Sequence, residues 1–187
     1  MTTDQPIEER PSDQLTAQDI LHLLDAAAAT QQRGEPDMGE TIDLIRLPSG
    51  RVVQRDKKIL ASSRGLVTQL DVALYRLLTA RLVEDGHNGK GVIVDLADLA
   101  AIPSWPVADW TYESLRASLY RIHGSVLDLT VSDATTKTVI VESMSRMIDT
   151  VQMSGRVRYG DGAEDTICTV DWSDGTVAGL RGNTPIN

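Results

Sequence analysis

Apolar residues recur every three or four positions in three segments of this chain, and that spacing predicts three amphipathic helices. We expect these helices over residues 16–33, 69–84 and about 109–125. Their apolar stripes are Ile20, Leu23, Leu24 and Ala27 in the first, Leu70, Ala73, Leu74, Leu77, Leu78 and Leu82 in the second, and Tyr112, Leu115, Leu119, Ile122 and Val126 in the third.

The first two predicted helices also carry a start signal. Thr16 and Thr68 are each followed three residues later by an aspartate, Asp19 in one case and Asp71 in the other. This is the spacing of a capping box, in which the threonine and the acidic residue satisfy backbone N–H groups of the first helical turn. The signal therefore predicts where both helices begin.

Alternating apolar and polar residues predict strands between and after the helices. Leu127, Leu129 and Val131 alternate with polar residues directly after the third helix, which indicates a strand with one buried face. A hairpin is expected over residues 41–55, because a Pro-Ser-Gly turn at residues 48–50 joins two alternating runs. Further strands are expected over residues 91–95, 138–142, 147–153 and 165–172, and a short helix over residues 96–102.

This order of elements predicts an α+β fold, a winged helix with an added N-terminal helix and an antiparallel β-sheet that includes the wing. We expect a single domain over residues 16–187, with the winged-helix core at 66–172 and the wing strands at 126–131 and 138–142. The third helix then takes the recognition position, which enters the DNA major groove in proteins of this class. Residues 1–15 are polar and acidic, and are expected to form a disordered tail.

The charge is unevenly distributed, which changes what a net charge of −9 implies. Residues 1–45 hold ten acidic and two basic side chains, whereas the basic segment, residues 46–64, holds six basic side chains and one acidic. A local basic patch can bind phosphate even when the whole chain is acidic. The candidate DNA-binding residues are Arg51, Arg55, Lys57, Lys58 and Arg64 in the basic segment, and Tyr112, Arg116, Tyr120 and Arg121 on the third helix. Solvated surface charges paired with nearby carboxylates are the alternative interpretation.

Three stretches resemble the N-terminal winged-helix domain of iteron-plasmid replication initiators: TQLDVALYRLLTARL, GVIVDLADLAAIPSWP and YESLRASLYRIHGSVLDL. The resemblance covers about residues 66–187. It implies plasmid DNA replication, with double-stranded DNA carrying origin repeats (iterons) as the partner and contacts mainly to the phosphate backbone. It also implies a homodimer, contacts with host replication proteins, and a second winged helix after GLRGNTPIN, outside this chain.

Two alternative functions stay open at this point. The first alternative is a dimerisation and protein-interaction module with no DNA affinity of its own. The second is a winged-helix transcriptional repressor. Strands after residue 126 are low in charge and could pair with a second chain at a sheet edge, although a covered edge explains them equally well.

Enzymatic chemistry is the least supported class, because no nucleophile stands near a suitable base and no metal-ligand spacing occurs in the sequence. We expect no cofactor and no metal. No apolar run approaches the roughly 20 residues that a membrane-spanning helix needs, and the N-terminus lacks an apolar signal segment. A single cysteine fits a cytoplasmic location.

Overall fold

The structure is a computed structural model, and it describes residues 15–33, 38–86, 88–95, 112–158 and 164–181. The helices are α1 (Ala17–Arg33), α2 (Gln69–Glu84), α3 (Tyr112–Gly124) and α4 (Asp174–Arg181). The strands are β1 (Met38–Arg46), β2 (Val52–Leu60), β3 (Val92–Asp95), β4 (Val126–Asp133), β5 (Val139–Arg146), β6 (Ile148–Arg158) and β7 (Glu164–Trp172).

The described strands form two antiparallel sheets. The four-stranded sheet has the order β1-β2-β4-β5, and the three-stranded sheet has the order β3-β7-β6. The chain passes from the first sheet to the second at Met147, a fully buried residue between β5 and β6. Both sheets and all four described helices contribute to one hydrophobic core, so they belong to one folding unit.

Helix α1 packs closely on the four-stranded sheet because a glycine lets the two backbones approach. A side chain at Gly39 of β1 would bring its Cβ to 2.7 Å from the Cβ of Ala27 on α1. The apolar stripe of α1 is buried here as expected, including Leu23 and Leu24. The predicted added helix is therefore an integral layer of the core.

The structure confirms the α+β class, the antiparallel sheets and several element boundaries. Helix α2 has the predicted limits, and α1 begins one residue after Thr16. The Thr16 hydroxyl accepts a hydrogen bond from the Asp19 backbone N–H, and the Asp19 carboxylate accepts one from the Thr16 backbone N–H. The Asp71 carboxylate likewise accepts a hydrogen bond from the Thr68 backbone N–H at 2.7 Å.

The predicted wing strands are present, and their hairpin belongs to the four-stranded sheet. Strands β4 and β5 form the hairpin, and β4 also pairs with β2 and completes the four-stranded sheet. The strand after α2 is β3, and it pairs with β7 of the β6–β7 hairpin. The hairpin that lies beside β3 is therefore β6–β7.

Other differences are smaller. The first hairpin spans residues 38–60 rather than 41–55, and Leu15 is buried in the core rather than part of a tail. Helix α4 was not predicted, although Ser173 caps it by accepting a hydrogen bond from the Thr176 backbone N–H. On α2 the buried face includes Val72 and Tyr75, whereas Leu77 is only half-buried. The predicted short helix at residues 96–102 and the tail at residues 1–14 lie outside the described residues.

A buried ion pair joins α2 to α3. The Arg121 guanidinium donates two hydrogen bonds to the Asp71 carboxylate, at 2.7 Å from Nε and 2.9 Å from Nη2. The Asp71 side chain is fully buried and that of Arg121 is 17% exposed. Charge-assisted, bidentate pairs of this kind are strong and fix relative orientation. The same carboxylate therefore both starts α2 and holds α3 against it.

A second buried ion cluster joins α1 to the four-stranded sheet. The Lys57 ammonium donates to Asp19 at 2.7 Å and also to Asp43 of β1, and Arg55 approaches Asp19 at 3.4 Å. Burial raises the pKa of the Asp19 carboxyl, but hydrogen bonds from Lys57 and from both polar groups of Thr16 outweigh it. The pKa of Asp19 therefore lies below its usual value.

We predict that Asp71→Asn lowers the free energy of unfolding by about 3 kcal/mol, because it leaves the Arg121 guanidinium without its buried counter-charge. Urea denaturation monitored by far-UV circular dichroism measures the loss. Asp25→Asn is the matched control, since Asp25 pairs with Arg76 at the surface, where both side chains are about half exposed. We expect that variant to lose no more than about 0.5 kcal/mol. Equal losses in the two variants would contradict the structural role of Asp71.

We predict that the stability advantage of the wild type over Asp19→Asn depends on pH. The folded-state pKa of Asp19 is lowered, so its contribution is fully present above the unfolded pKa of about 3.9 and is lost as pH falls through the lower folded value. Urea unfolding of both proteins at neutral pH and at a series of acidic pH values checks this. An advantage that stays constant down to the acid-unfolding limit would refute the prediction.

Candidate nucleic-acid interface

The basic segment does not form one patch. Arg51 precedes β2 and Arg64 follows it, and the nine residues of β2 separate the two ends by about 30 Å at the usual rise of a strand. Within β2, residues alternate between the face that α1 covers and the outer face of the sheet. Consecutive basic residues in the sequence therefore point to opposite sides of the sheet.

Arg55 and Lys57 lie on the covered face of β2. Their side chains are 9% and 2% exposed, and both contact the Asp19 carboxylate. Their charges are thus used to hold α1 on the sheet. Burial and internal pairing are the physical reason why these two predicted DNA-contact residues are not accessible to DNA in this conformation.

Arg121 is in a similar position on α3. It was expected on the outer face with Arg116, but its guanidinium turns back to the buried Asp71 carboxylate and also donates to the Ser118 hydroxyl at 3.2 Å. Its role in the structure is to position α3.

Arg51 remains at the surface but is tethered. Its Nε donates to an Asp133 oxygen at 2.8 Å, while the other carboxylate oxygen of Asp133 accepts from the backbone N–H groups of Thr135 and Thr136. These hydrogen bonds, from Thr136 first and then from Arg51, hold the pKa of Asp133 well below its usual range. The carboxylate therefore stays charged and holds Arg51 beside the β4–β5 turn.

Lys58 lies on the outer face of the four-stranded sheet. Its cross-strand neighbours in the register are Glu40 on β1 and Asp128 on β4. Lys137 was not singled out from the sequence, yet its ammonium reaches Gln54 at 2.8 Å from the turn that also holds Arg51. Only the register between distant strands brings Lys137 to the basic segment, so no local sequence pattern could have found it.

Three of the predicted residues do come together on one surface. Arg64 and Arg116 each place a guanidinium carbon over the Tyr120 ring, at 5.0 and 5.3 Å from its centroid. Both arginines are exposed and Tyr120 is half-buried. We call this group the arginine–tyrosine stack. Tyr112 begins α3, but its side chain lies outside the described part of the chain.

The stack is assembled from two elements that meet through a glycine. Arg116 and Tyr120 are four residues apart on α3, so they share one helical face. Arg64 comes from the Ser62–Gly65 turn, which is closed by backbone hydrogen bonds in both directions. A Cβ at Gly124 would lie 2.7 Å from the Ser62 Cβ. Glycine at residue 124 therefore allows this turn to lie against the end of α3 and brings Arg64 over the ring.

The geometry of the stack suits an anion. Each guanidinium presents planar N–H donors, and contact with the same ring restricts the conformations of both side chains. Two guanidinium groups held on one surface, one from α3 and one from the Ser62–Gly65 turn, match what phosphate recognition requires.

Other kinds of site have little support within the described residues. They contain no group of three or more His, Cys, Asp or Glu side chains that could hold a metal ion. Burial raises the pKa of the Cys168 thiol to about 11, which leaves it protonated and unreactive at neutral pH. No helix in the described ranges is long and apolar enough to cross a membrane.

Comparison with known proteins gives distant likenesses only. No protein-family model matches the sequence, and no curated protein matches it. Among solved structures, a selenomethionine crystal structure of domains 2 and 3 of RctB is similar, with a TM-score of 0.49 and 15% sequence identity over 84% of this chain. A second structure of RctB domains 2–3, residues 155–483, gives a TM-score of 0.44 and 15% identity over 74% of this chain. The chain spans 60% and 51% of the lengths of those two RctB chains.

Proposed function

We propose that this chain is a DNA-binding domain that acts in the initiation of plasmid DNA replication in the cytoplasm. In this proposal α3 docks on double-stranded DNA and the arginine–tyrosine stack contacts its phosphate backbone. The activity is binding and involves no covalent chemistry. The arginine–tyrosine stack is the observation that carries the DNA contact, and the sequence resemblance to iteron-plasmid initiators supports the replication role.

Among the candidate residues, the stack has the best geometry for DNA. Arg64 and Arg116 are exposed and share the Tyr120 ring, whereas Arg55, Lys57 and Arg121 are held in buried ion pairs. Guanidinium groups make the commonest phosphate contacts in protein–DNA complexes, and such contacts set the register of the protein on the duplex. Arg51 and Lys58 remain possible secondary contacts at the surface of the four-stranded sheet.

The acidic net charge is compatible with this proposal because of where the acids lie. Residues 1–45 carry eight of the nine net negative charges, so residues 46–187 are close to neutral. A nearly neutral domain with two clustered arginines binds DNA weakly and with strong salt dependence. We therefore propose that binding to repeated origin sites uses a homodimer, which places two such domains on adjacent sites, and that host replication proteins join the assembled complex.

A second candidate function is a dimerisation and protein-interaction module without DNA affinity. The observation in its favour is the exposure of large apolar side chains on the edge strands of the four-stranded sheet, among them Ile42, Leu44 and Met144. Exposed apolar side chains on a sheet edge are typical of a protein-binding surface. Direct measurement of DNA affinity separates the two functions.

We predict that the wild-type chain binds a fluorescently labelled random-sequence duplex in an anisotropy titration, with an affinity that falls steeply as salt is raised. Arg64→Ala and Arg116→Ala should each weaken binding about three- to ten-fold, and each should make the negative slope of log K against log salt shallower by about one. These effects arise because each arginine neutralises about one phosphate.

Arg76→Ala is the matched control for both arginine variants. Arg76 is an exposed arginine on α2 that pairs at the surface with Asp25, so its removal changes net charge equally. We expect its affinity to stay within about two-fold of the wild type, since a charge away from the interface acts only through screened solvent. Absence of salt-dependent binding by the wild type, or an equal loss in Arg76→Ala, would overturn the DNA-contact proposal.

We predict that the Tyr120 ring, rather than its hydroxyl, organises the stack. Tyr120→Phe keeps a π face for both guanidinium groups and should retain wild-type DNA affinity. Tyr120→Ala frees both arginines and should weaken binding by about as much as one arginine substitution. The same anisotropy titration measures both, and equal losses in the two variants would assign the effect to the hydroxyl instead.

A further inference from the structure

Strand β1 forms one edge of the four-stranded sheet. Within the described residues β1 pairs only with β2, over nine residues in a regular register. The strand contains no proline, lysine or β-bulge, and its one inward-pointing charge, Asp43, is already paired with Lys57. Its backbone can therefore accept another strand.

The outer face of β1 is also apolar where it is most exposed. Ile42 and Leu44 are 56% and 68% exposed, although both are large aliphatic side chains. Glu40 and Arg46 flank them on the same face, because side chains alternate along the strand and residues 40, 42, 44 and 46 are the exposed set. Along β1, the exposed residues are therefore acidic, apolar, apolar and basic in that order.

This order is self-complementary in one antiparallel register. If two copies of β1 pair about a two-fold axis at Asp43, Glu40 lies opposite Arg46 of the second copy and Ile42 lies opposite its Leu44. Centring the pair on Ile42 places Glu40 opposite leucine, and centring it on Leu44 places Arg46 opposite isoleucine. Only the Asp43 register matches opposite charges and apolar side chains together.

The inner face tolerates the same register. Asp43 would face its own copy across the axis, which ordinarily repels. The Lys57 ammonium already contacts each Asp43 carboxylate, so each facing charge has a counter-ion within its own subunit.

The opposite edge, β5, is less suitable. The backbone carbonyl of Arg146 accepts hydrogen bonds from the Ser173 hydroxyl at 2.5 Å and the Thr176 hydroxyl at 3.4 Å, so the start of α4 covers that end of the edge. A register shift also occurs between Val131 and Ser132 where β4 pairs with β5. Such irregularities twist an edge away from pairing.

We propose that the second copy of this chain docks on β1, joining the two four-stranded sheets into one continuous eight-stranded antiparallel sheet with Glu40–Arg46 ion pairs at both ends of the β1–β1 junction. This inference deepens the proposed function, since it rests on the homodimer proposed there and gives that dimer its surface. It places the pairing edge at β1 rather than in the strands after residue 126, where the sequence left pairing and a covered edge equally open.

The test uses charge reversal in the absence of DNA. Glu40→Arg and Arg46→Glu each place like charges opposite each other twice per dimer, and each should raise the dimer dissociation constant at least about ten-fold in sedimentation velocity. An equimolar mixture of the two variants restores both ion pairs and should re-form dimers, now between unlike subunits. Leu44→Lys should also dissociate the dimer, because it removes the apolar contact.

Glu142→Arg is the matched control, being the same charge reversal at an exposed residue of β5 on the other edge. It should leave the dimer unchanged, and circular dichroism should show all variants folded. A monomeric wild type, dissociation by Glu142→Arg, or a mixture of the two β1 variants that stays monomeric would each overturn the proposal. Dimers without DNA affinity would refute the DNA contact but not this interface. DNA binding by a monomer would refute this interface but not the DNA contact.

Discussion

The Asp71 carboxylate is the group on which the arrangement of the second half of the molecule depends. It accepts a hydrogen bond from the backbone N–H of Thr68, directly before α2, and two from Arg121 on α3, so one buried charge orients both helices. A buried carboxylate is costly unless it is fully paired, and this one is paired from two directions. The exposed face of α3, with Arg116 and Tyr120, points outward because Arg121 on the adjacent face is fixed inward.

Asp19 has the same double role, and together the two aspartates explain why several basic residues of the basic segment and α3 add no charge to the surface. In both cases an aspartate three residues after a threonine starts a helix and also binds a basic residue from another element. These ion pairs neutralise the charges of Lys57, Arg55 and Arg121 inside the fold. Of the other predicted cations, Arg64 and Arg116 are exposed and share the Tyr120 ring, while Arg51 and Lys58 lie apart from them at the surface of the four-stranded sheet.

Local features of the fold could be predicted from the sequence, since their causes are local. The two threonine–aspartate spacings gave the starts of α1 and α2, and the alternation at Leu127, Leu129 and Val131 gave the buried face of β4. Sheet membership could not be predicted, because a strand with one buried face satisfies its pattern in either sheet. Helix α4 was missed because its second residue, Gly175, is a turn former by composition.

For the candidate site, the spacing on α3 correctly placed Arg116 and Tyr120 on the same face. It did not reveal that Arg121 turns away from them into an internal ion pair. The partner of Arg121 lies 50 residues away, and no pattern on α3 itself reveals a buried carboxylate there. Arg64 reaches the ring only because Gly124 admits the Ser62–Gly65 turn, which is a contact between segments far apart in sequence. The sequence shows that a segment contains a basic residue. Only the tertiary packing determines whether that residue is held in a buried ion pair or stays exposed to solvent.

The placement of β4 beside β2 also dictates an order of assembly. Their paired residues are separated by 66 positions at Leu60–Val126 and by 80 at Val53–Asp133, so the four-stranded sheet closes around all of α2, β3 and α3. Non-local pairing of this kind incurs its loop-closure entropy before any ladder forms, which slows folding. The β1–β2 hairpin pairs residues that are close in sequence, so it can form first. Its β1 and β2 edges are then both unpaired until β4 reaches β2. During synthesis from the N-terminus, the β2 edge therefore stays without its partner until residues 126–133 have been made.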